Sequence, residues 1–65
     1  MHLRELAERR SGGLIVRLLW DPDRNQALLR YRDVRTGDGF SADVPNAFAL
    51  SAFRHPNAFR PSRSA

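Results

Sequence analysis

Between Leu14 and Val44 the chain carries three stretches in which apolar residues recur at every second position, separated by turn-forming residues. A two-residue period sends successive side chains to opposite faces, so each stretch reads as a β-strand. The first, residues 14–20, directs Val16, Leu18 and Trp20 to one face and Ile15, Arg17 and Leu19 to the other. The second, residues 27–34, directs Leu29 and Tyr31 one way and Leu28, Arg30, Arg32 and Val34 the other. Asp21-Pro22-Asp23 between them is turn chemistry, and pairing Asp21 with Gln26 aligns the apolar faces. Trp20 then faces Ala27, Leu18 faces Leu29, and Val16 faces Tyr31. The third stretch, residues 39–44, places Phe40, Ala42 and Val44 on one face, with Ser41 and Asp43 opposite. Its connection, Arg35-Thr36-Gly37-Asp38-Gly39, suits a tight turn in which Arg35 pairs with Asp38. That register sets Tyr31 against Ala42, Leu29 against Val44 and Arg30 against Asp43.

Both ends of the chain read as helical. In residues 2–10, Leu3, Leu6 and Ala7 fall at helical spacing, with glutamates early and arginines late, an order that complements a helix dipole. Nine residues do not hold a helix in water alone, so Leu3 and Leu6 require a surface to lie on, and Ser11-Gly12-Gly13 ends the segment. After Val44, Pro45-Asn46 opens a second helix that presents Phe48, Ala49, Ala52 and Phe53 on one side, and His55-Pro56 stops it. The tetrapeptide Pro-Asn-Ala-Phe recurs at 56–59 as a turn that tucks Phe59 beneath the sheet. The expected architecture is therefore one α+β domain over residues 1–60, ordered α-β-β-β-α: a short N-terminal helix, a three-stranded antiparallel β-meander and a C-terminal helix. Residues 61–65, rich in Arg, Ser and Pro, form a mobile tail.

With 65 residues such a domain buries only about 60% of the surface of its unfolded chain, which leaves little room for a large catalytic cleft. The absence of cysteine excludes disulfides and thiolate zinc sites, so packing or association must supply stability. The net charge is +4, and all 11 basic side chains are arginine. Arginine binds phosphate and carboxylate with a two-pronged fork, although the accompanying Ala, Gly and Pro bias also fits a GC-rich coding sequence. The N-terminal segment lacks the apolar run of a secretory signal, and no stretch approaches the roughly 20 apolar residues of a membrane span. The expectation is a cytoplasmic protein without a membrane partner.

Candidate chemistry is sparse. Asp21-Pro22-Asp23-Arg24-Asn25 matches the start of a calcium loop, but Gln26 stands where that loop needs glycine and Arg32 where it needs glutamate. A hairpin turn explains the same residues. Ser51 and His55 are four apart on the last helix, yet no third residue orients the imidazole and no oxyanion loop accompanies them. His2 and His55 do not define a metal site. Neither Gly12-Gly13 nor Gly37-Asp38-Gly39 precedes a helix, so neither is a phosphate loop. No enzyme activity, metal or cofactor is expected.

The outer face of the sheet remains. There Arg17 stands opposite Arg30 and Ile15 opposite Arg32, while Leu19, Leu28 and Val34 share the surface, and Asp43 is available to neutralise one arginine. The strand at 14–20 is apolar on both sides and would form an unprotected sheet edge. The expected function is a small non-enzymatic accessory or regulatory protein that docks on a protein partner, or on its own copy as a homodimer. Its partner-binding residues are Ile15, Arg17, Leu19, Leu28, Arg30, Arg32 and Val34, together with that edge. The alternative is nucleic-acid binding through Arg17, Arg30, Arg32 and Arg35, supported by Arg24 and the tail arginines, with a log–log salt slope near −3.6 for about four phosphates.

Overall fold

A computed structural model describes residues 3–60 as a four-stranded antiparallel sheet, with strands in chain order, and one short helix. The strands are β1 (Arg4–Ser11), β2 (Leu14–Asp21), β3 (Gln26–Asp33) and β4 (Gly39–Val44). A 3-10 turn (Asn46–Phe48) leads into α1 (Ala49–Arg54), and a second 3-10 turn (Pro56–Phe59) follows it. The helix expected at 2–10 is instead β1, which makes the sheet one strand wider than the expected meander. The expected tail at 61–65 and His2 lie outside the described residues.

The conversion of the N-terminal segment has a local cause. Gly12 and Gly13 take φ of 53° and 88°, the left-handed pair that a two-residue type I′ hairpin turn demands. The turn folds β1 back along β2, pairing Arg9 with Val16 and Glu8 with Arg17, with a bulge between Glu5 and Ala7. Leu6 falls within that irregularity and is 55% exposed, so it does not supply the packing that an amphipathic helix would have required. The strand at 14–20 is consequently interior, and the edges of the sheet are β1 and β4.

The β2–β3 register is the expected one throughout, from Asp21 opposite Gln26 to Ile15 opposite Arg32. The β3–β4 register differs from expectation by two residues: Tyr31 faces Phe40, Leu29 faces Ala42 and Ala27 faces Val44. The Asp33 amide donates to the Asp38 carbonyl at 2.8 Å, and the Gly37 amide donates to the Asp33 carbonyl at 2.9 Å. The connection is therefore longer than a two-residue turn, with Gly37 at φ 78° closing it. A shift of two leaves every side chain on its expected face, because the strand period is two. It does move Asp43 from Arg30 to a position opposite Leu28.

The core lies on one face, where Val16, Ala27, Leu29, Tyr31, Val44 and Ala52 are buried together. Leu14, Trp20, Phe40, Ala49, Phe53 and Phe59 pack around them. α1 covers this face through Ala52, and its six residues are anchored from outside: Arg9 on β1 donates to the carbonyls of Phe53 and Arg54 and lies over the Phe53 ring. These are the carbonyls that a helix end leaves without intrahelical donors. At the far side, Tyr31 and Phe40 stack with centroids 5.2 Å apart, and the Arg60 guanidinium caps both rings while bonding Asp38 at 2.8 Å.

Candidate functional site on the outer sheet face

With α1 on the core face, the outer face is formed by alternate residues of the strands themselves. Central on β2, Arg17 has Glu8 on one flank and Arg30 on the other. Its Nε lies 2.7 Å from Glu8 Oε2 and 3.6 Å from Glu5 Oε1. The hydrogen bond from Arg17 holds the Glu8 carboxyl below its ordinary range, and the same contact raises the Arg17 pKa. Neutralisation of the Arg17–Arg30 opposition thus comes from β1, not from Asp43 as expected. The signal was present in the sequence: a two-residue turn at Gly12-Gly13 pairs Glu8 with Arg17 by simple counting.

Asp43 belongs instead to Arg24, which donates to both of its oxygens and, through Nε, to Asp21 Oδ2 at 2.8 Å. Asp21 is buried and also accepts from the Asp23 and Arg24 amides, so the calcium-like Asp21–Asn25 segment is a hydrogen-bonded turn. Arg24 lowers the Asp21 pKa, chiefly through the side-chain bond. The buried Asp33 accepts from the amide and guanidinium of Arg35 in the same manner, and its pKa is lowered with that side-chain bond as the leading cause. Among the described residues no group of three or more His, Asp or Glu side chains is placed to hold a metal. Ser51 and His55 meet through a backbone bond at the end of α1, the His55 amide donating to the Ser51 carbonyl.

Most of the arginines are therefore committed within the chain. Arg10, Arg17, Arg24, Arg35 and Arg60 each contact a carboxylate, and Arg9 closes α1. Besides Arg9, four exposed arginines, Arg4, Arg30, Arg32 and Arg54, contact no carboxylate among the described residues, and of these Arg30 and Arg32 stand side by side on the outer face of β3. They border a shallow groove of ≈ 560 Å³ with Arg17, Ile15, Gly39 and Ser41. Gly39 and Ser41 are opposite Arg32 and Arg30, so the groove floor beside the two guanidinium groups carries no bulky side chain. Ile15 and Val34 also line a second recess beside the Gly12-Gly13 turn.

The seven expected partner-binding residues separate into groups. Arg30 and Arg32 are exposed and uncommitted, Val34 is 56% exposed, and Ile15 and Leu28 are half-buried. Arg17 is engaged by Glu8, and Leu19 is only 6% exposed, so it underlies the surface instead of presenting itself on it. Gly39 and Ser41 join the site by facing β3 from β4, a placement that depends on the corrected register. Compared with known protein families, curated proteins and solved structures, the chain matches none. No helix among the described residues is long and apolar enough to cross a membrane.

Proposed function

We propose that this chain is a non-enzymatic binding module that docks an acidic segment of a partner protein on its outer sheet face. Arg30 and Arg32 are the charged anchors, and Ile15, Leu28 and Val34 are the apolar contacts around them. One observation carries the reading: among the described residues two neighbouring outer-face arginines lack a carboxylate, on a sheet where nearly every acidic side chain is already used by another arginine. Exposed arginine amid aliphatic surface is the composition of a protein interface, where a two-pronged guanidinium supplies orientation and apolar neighbours supply buried area.

The same inventory weakens the nucleic-acid alternative. Of the four arginines expected to contact phosphates, Arg17 and Arg35 are bonded to Glu8 and Asp33, as is supporting Arg24 to Asp21 and Asp43. Two remaining contacts give a salt slope of about −1.8 for duplex DNA. The aromatic pair Tyr31–Phe40 lies in or against the core under Arg60 and is not positioned to stack exposed bases.

The test is an NMR titration of the labelled protein with a peptide alternating glutamate and leucine, and separately with random duplex DNA at several salt concentrations. The peptide is expected to shift the amides of Ile15, Leu28, Arg30 and Arg32, and Arg30→Glu/Arg32→Glu abolishes the effect. No response on this face to the peptide overturns the proposal. Duplex binding with a slope near −3.6 replaces it with the nucleic-acid reading.

A further inference from the structure

We infer that β4 is a self-pairing edge: a second copy of the chain adds its own β4 antiparallel to the first, giving a two-fold dimer with one continuous sheet. The backbone directions follow from the ladder. The Asp33 amide donates to the Asp38 carbonyl, and positions that bond across an antiparallel ladder recur at every second residue. Phe40, Ala42 and Val44 therefore turn their backbone groups toward β3, while Gly39, Ser41 and Asp43 turn theirs to the open side. Sheet edges are ordinarily defended by charge, proline or bulges. β1 has all but the proline: Glu8 and Arg10 alternate with residues bonded to β2, and a bulge interrupts its first half. The open side of β4 is lined by one glycine, one serine and one aspartate, and its first proline is Pro45.

The register is limited by the same residues. With Ser41 at the two-fold axis opposite the partner's Ser41, Gly39 pairs with the partner's Asp43. A slide of two residues one way brings Pro45, which has no amide hydrogen, opposite Gly39. A slide the other way brings Gly37, in the positive-φ turn, opposite Asp43. The central register also complements charge. Arg32 faces Gly39 from β3, so in the dimer Gly39 lies between Arg32 and the partner's Asp43, all on the outer face. Glycine leaves the path between them clear, and two strand spacings of about 4.8 Å are within the combined reach of an extended arginine and an aspartate. The Asp43 carboxylate is half exposed, and Arg24 occupies only part of its acceptor capacity. Symmetry makes the bridge twice. The contact is isologous, so it closes at two copies and does not propagate. It shares Arg32 with the docking reading, so in the dimer that side chain serves the partner's Asp43, while Arg30 remains open on the outer face of each copy.

Sedimentation equilibrium of the full chain from micromolar to millimolar concentration tests the inference. The expected result is a monomer–dimer equilibrium with no larger species. Ser41→Pro removes both central amide donors without touching the bonds to β3, and it raises the dimer dissociation constant about thirtyfold. Arg32→Asp and Asp43→Arg each weaken the dimer, and the double exchange restores it. In the unaltered chain, hydrogen exchange at the Ser41 and Asp43 amides slows as concentration rises, a readout that does not depend on any variant folding. A monomer at all concentrations, open-ended oligomers, or a dimer indifferent to Ser41→Pro overturns the inference, and none of these outcomes bears on peptide binding at Arg30.

Discussion

Leu29→Ala and Leu19→Ala remove the same atoms from opposite faces of one sheet, and comparison of the two measures whether the outer face is open. Leu29 is fully buried between the sheet and α1, in the cluster of Val16, Ala27, Tyr31, Val44 and Ala52. Leu19, 6% exposed, has Glu5 and Leu28 as its strand partners, and α1 lies on the other side. Truncation costs the transfer of roughly three carbons, about 2 kcal/mol, and in a closed core it also leaves a cavity. Leu29→Ala is thus expected to cost about 3–5 kcal/mol, a large part of the roughly 3–10 kcal/mol available to a chain of this size. On an open face neighbouring side chains and water fill the space, so Leu19→Ala is expected to cost only the transfer part, about 2 kcal/mol. Urea unfolding followed by Trp20 fluorescence reads both, with the midpoint moving and the slope unchanged. Equal costs for the two variants would refute the reasoning, since they would mean that the outer face is sealed as tightly as the core.

Further outcomes follow from individual contacts. Arg9→Met removes the donor to the Phe53 and Arg54 carbonyls and is expected to cost about 1 kcal/mol, with early loss of α1 protection in hydrogen exchange. The carboxyls of Glu8, Asp21, Asp33 and Asp38 all titrate below their ordinary values in the folded chain because arginines bond them. Their contribution is complete above the unfolded values of 4.5 and 3.8 and is lost as pH falls through the lower folded values, so thermal stability should fall on acidification below about pH 4. A midpoint insensitive to pH between 5 and 2 contradicts those bonds. Gly13→Ala places a Cβ 2.8 Å from Arg35 Cγ on a backbone at φ 88°, and it should lower the melting temperature more than Gly12→Ala, where the space is open. Leu50→Ala, at a position 59% exposed, should be nearly neutral.

What could be read from the sequence was the part governed by two-residue alternation. In β2 and β3 both faces are specified by side chains that alternate against a core, and a slip of one residue would invert them, so the register was legible. The β3–β4 slip of two residues escaped because it leaves the faces unchanged; only the length of the Asp33–Asp38 connection distinguishes the alternatives. β1 was illegible for a different reason. As an edge strand it needs charge more than apolar area, and Ala7 is its only half-buried residue, so its sequence lacks the alternation of β2. The chance spacing of Leu3, Leu6 and Ala7 then mimicked a helix. Gly12-Gly13 was the contrary signal, since paired glycines between chain segments turn a hairpin as readily as they end a helix. Strand alternation predicts Arg17, Arg30 and Arg32 on one outer face, but the division between Arg17, bonded to Glu8, and Arg30 and Arg32, without a carboxylate among the described residues, depends on β1, which brings Glu8 to the sheet.

The meander order has a kinetic consequence. Every strand bonds to its neighbour in the chain across connections of only a few residues, so no distant segments must find each other before the sheet can grow. The central β2–β3 hairpin, which contributes most of the buried side chains, is the natural nucleus, with β4 and then β1 zipping onto its two flanks. Refolding should accordingly be fast for an all-antiparallel sheet, and substitutions in that hairpin should slow it, whereas changes in β1 should mainly hasten unfolding.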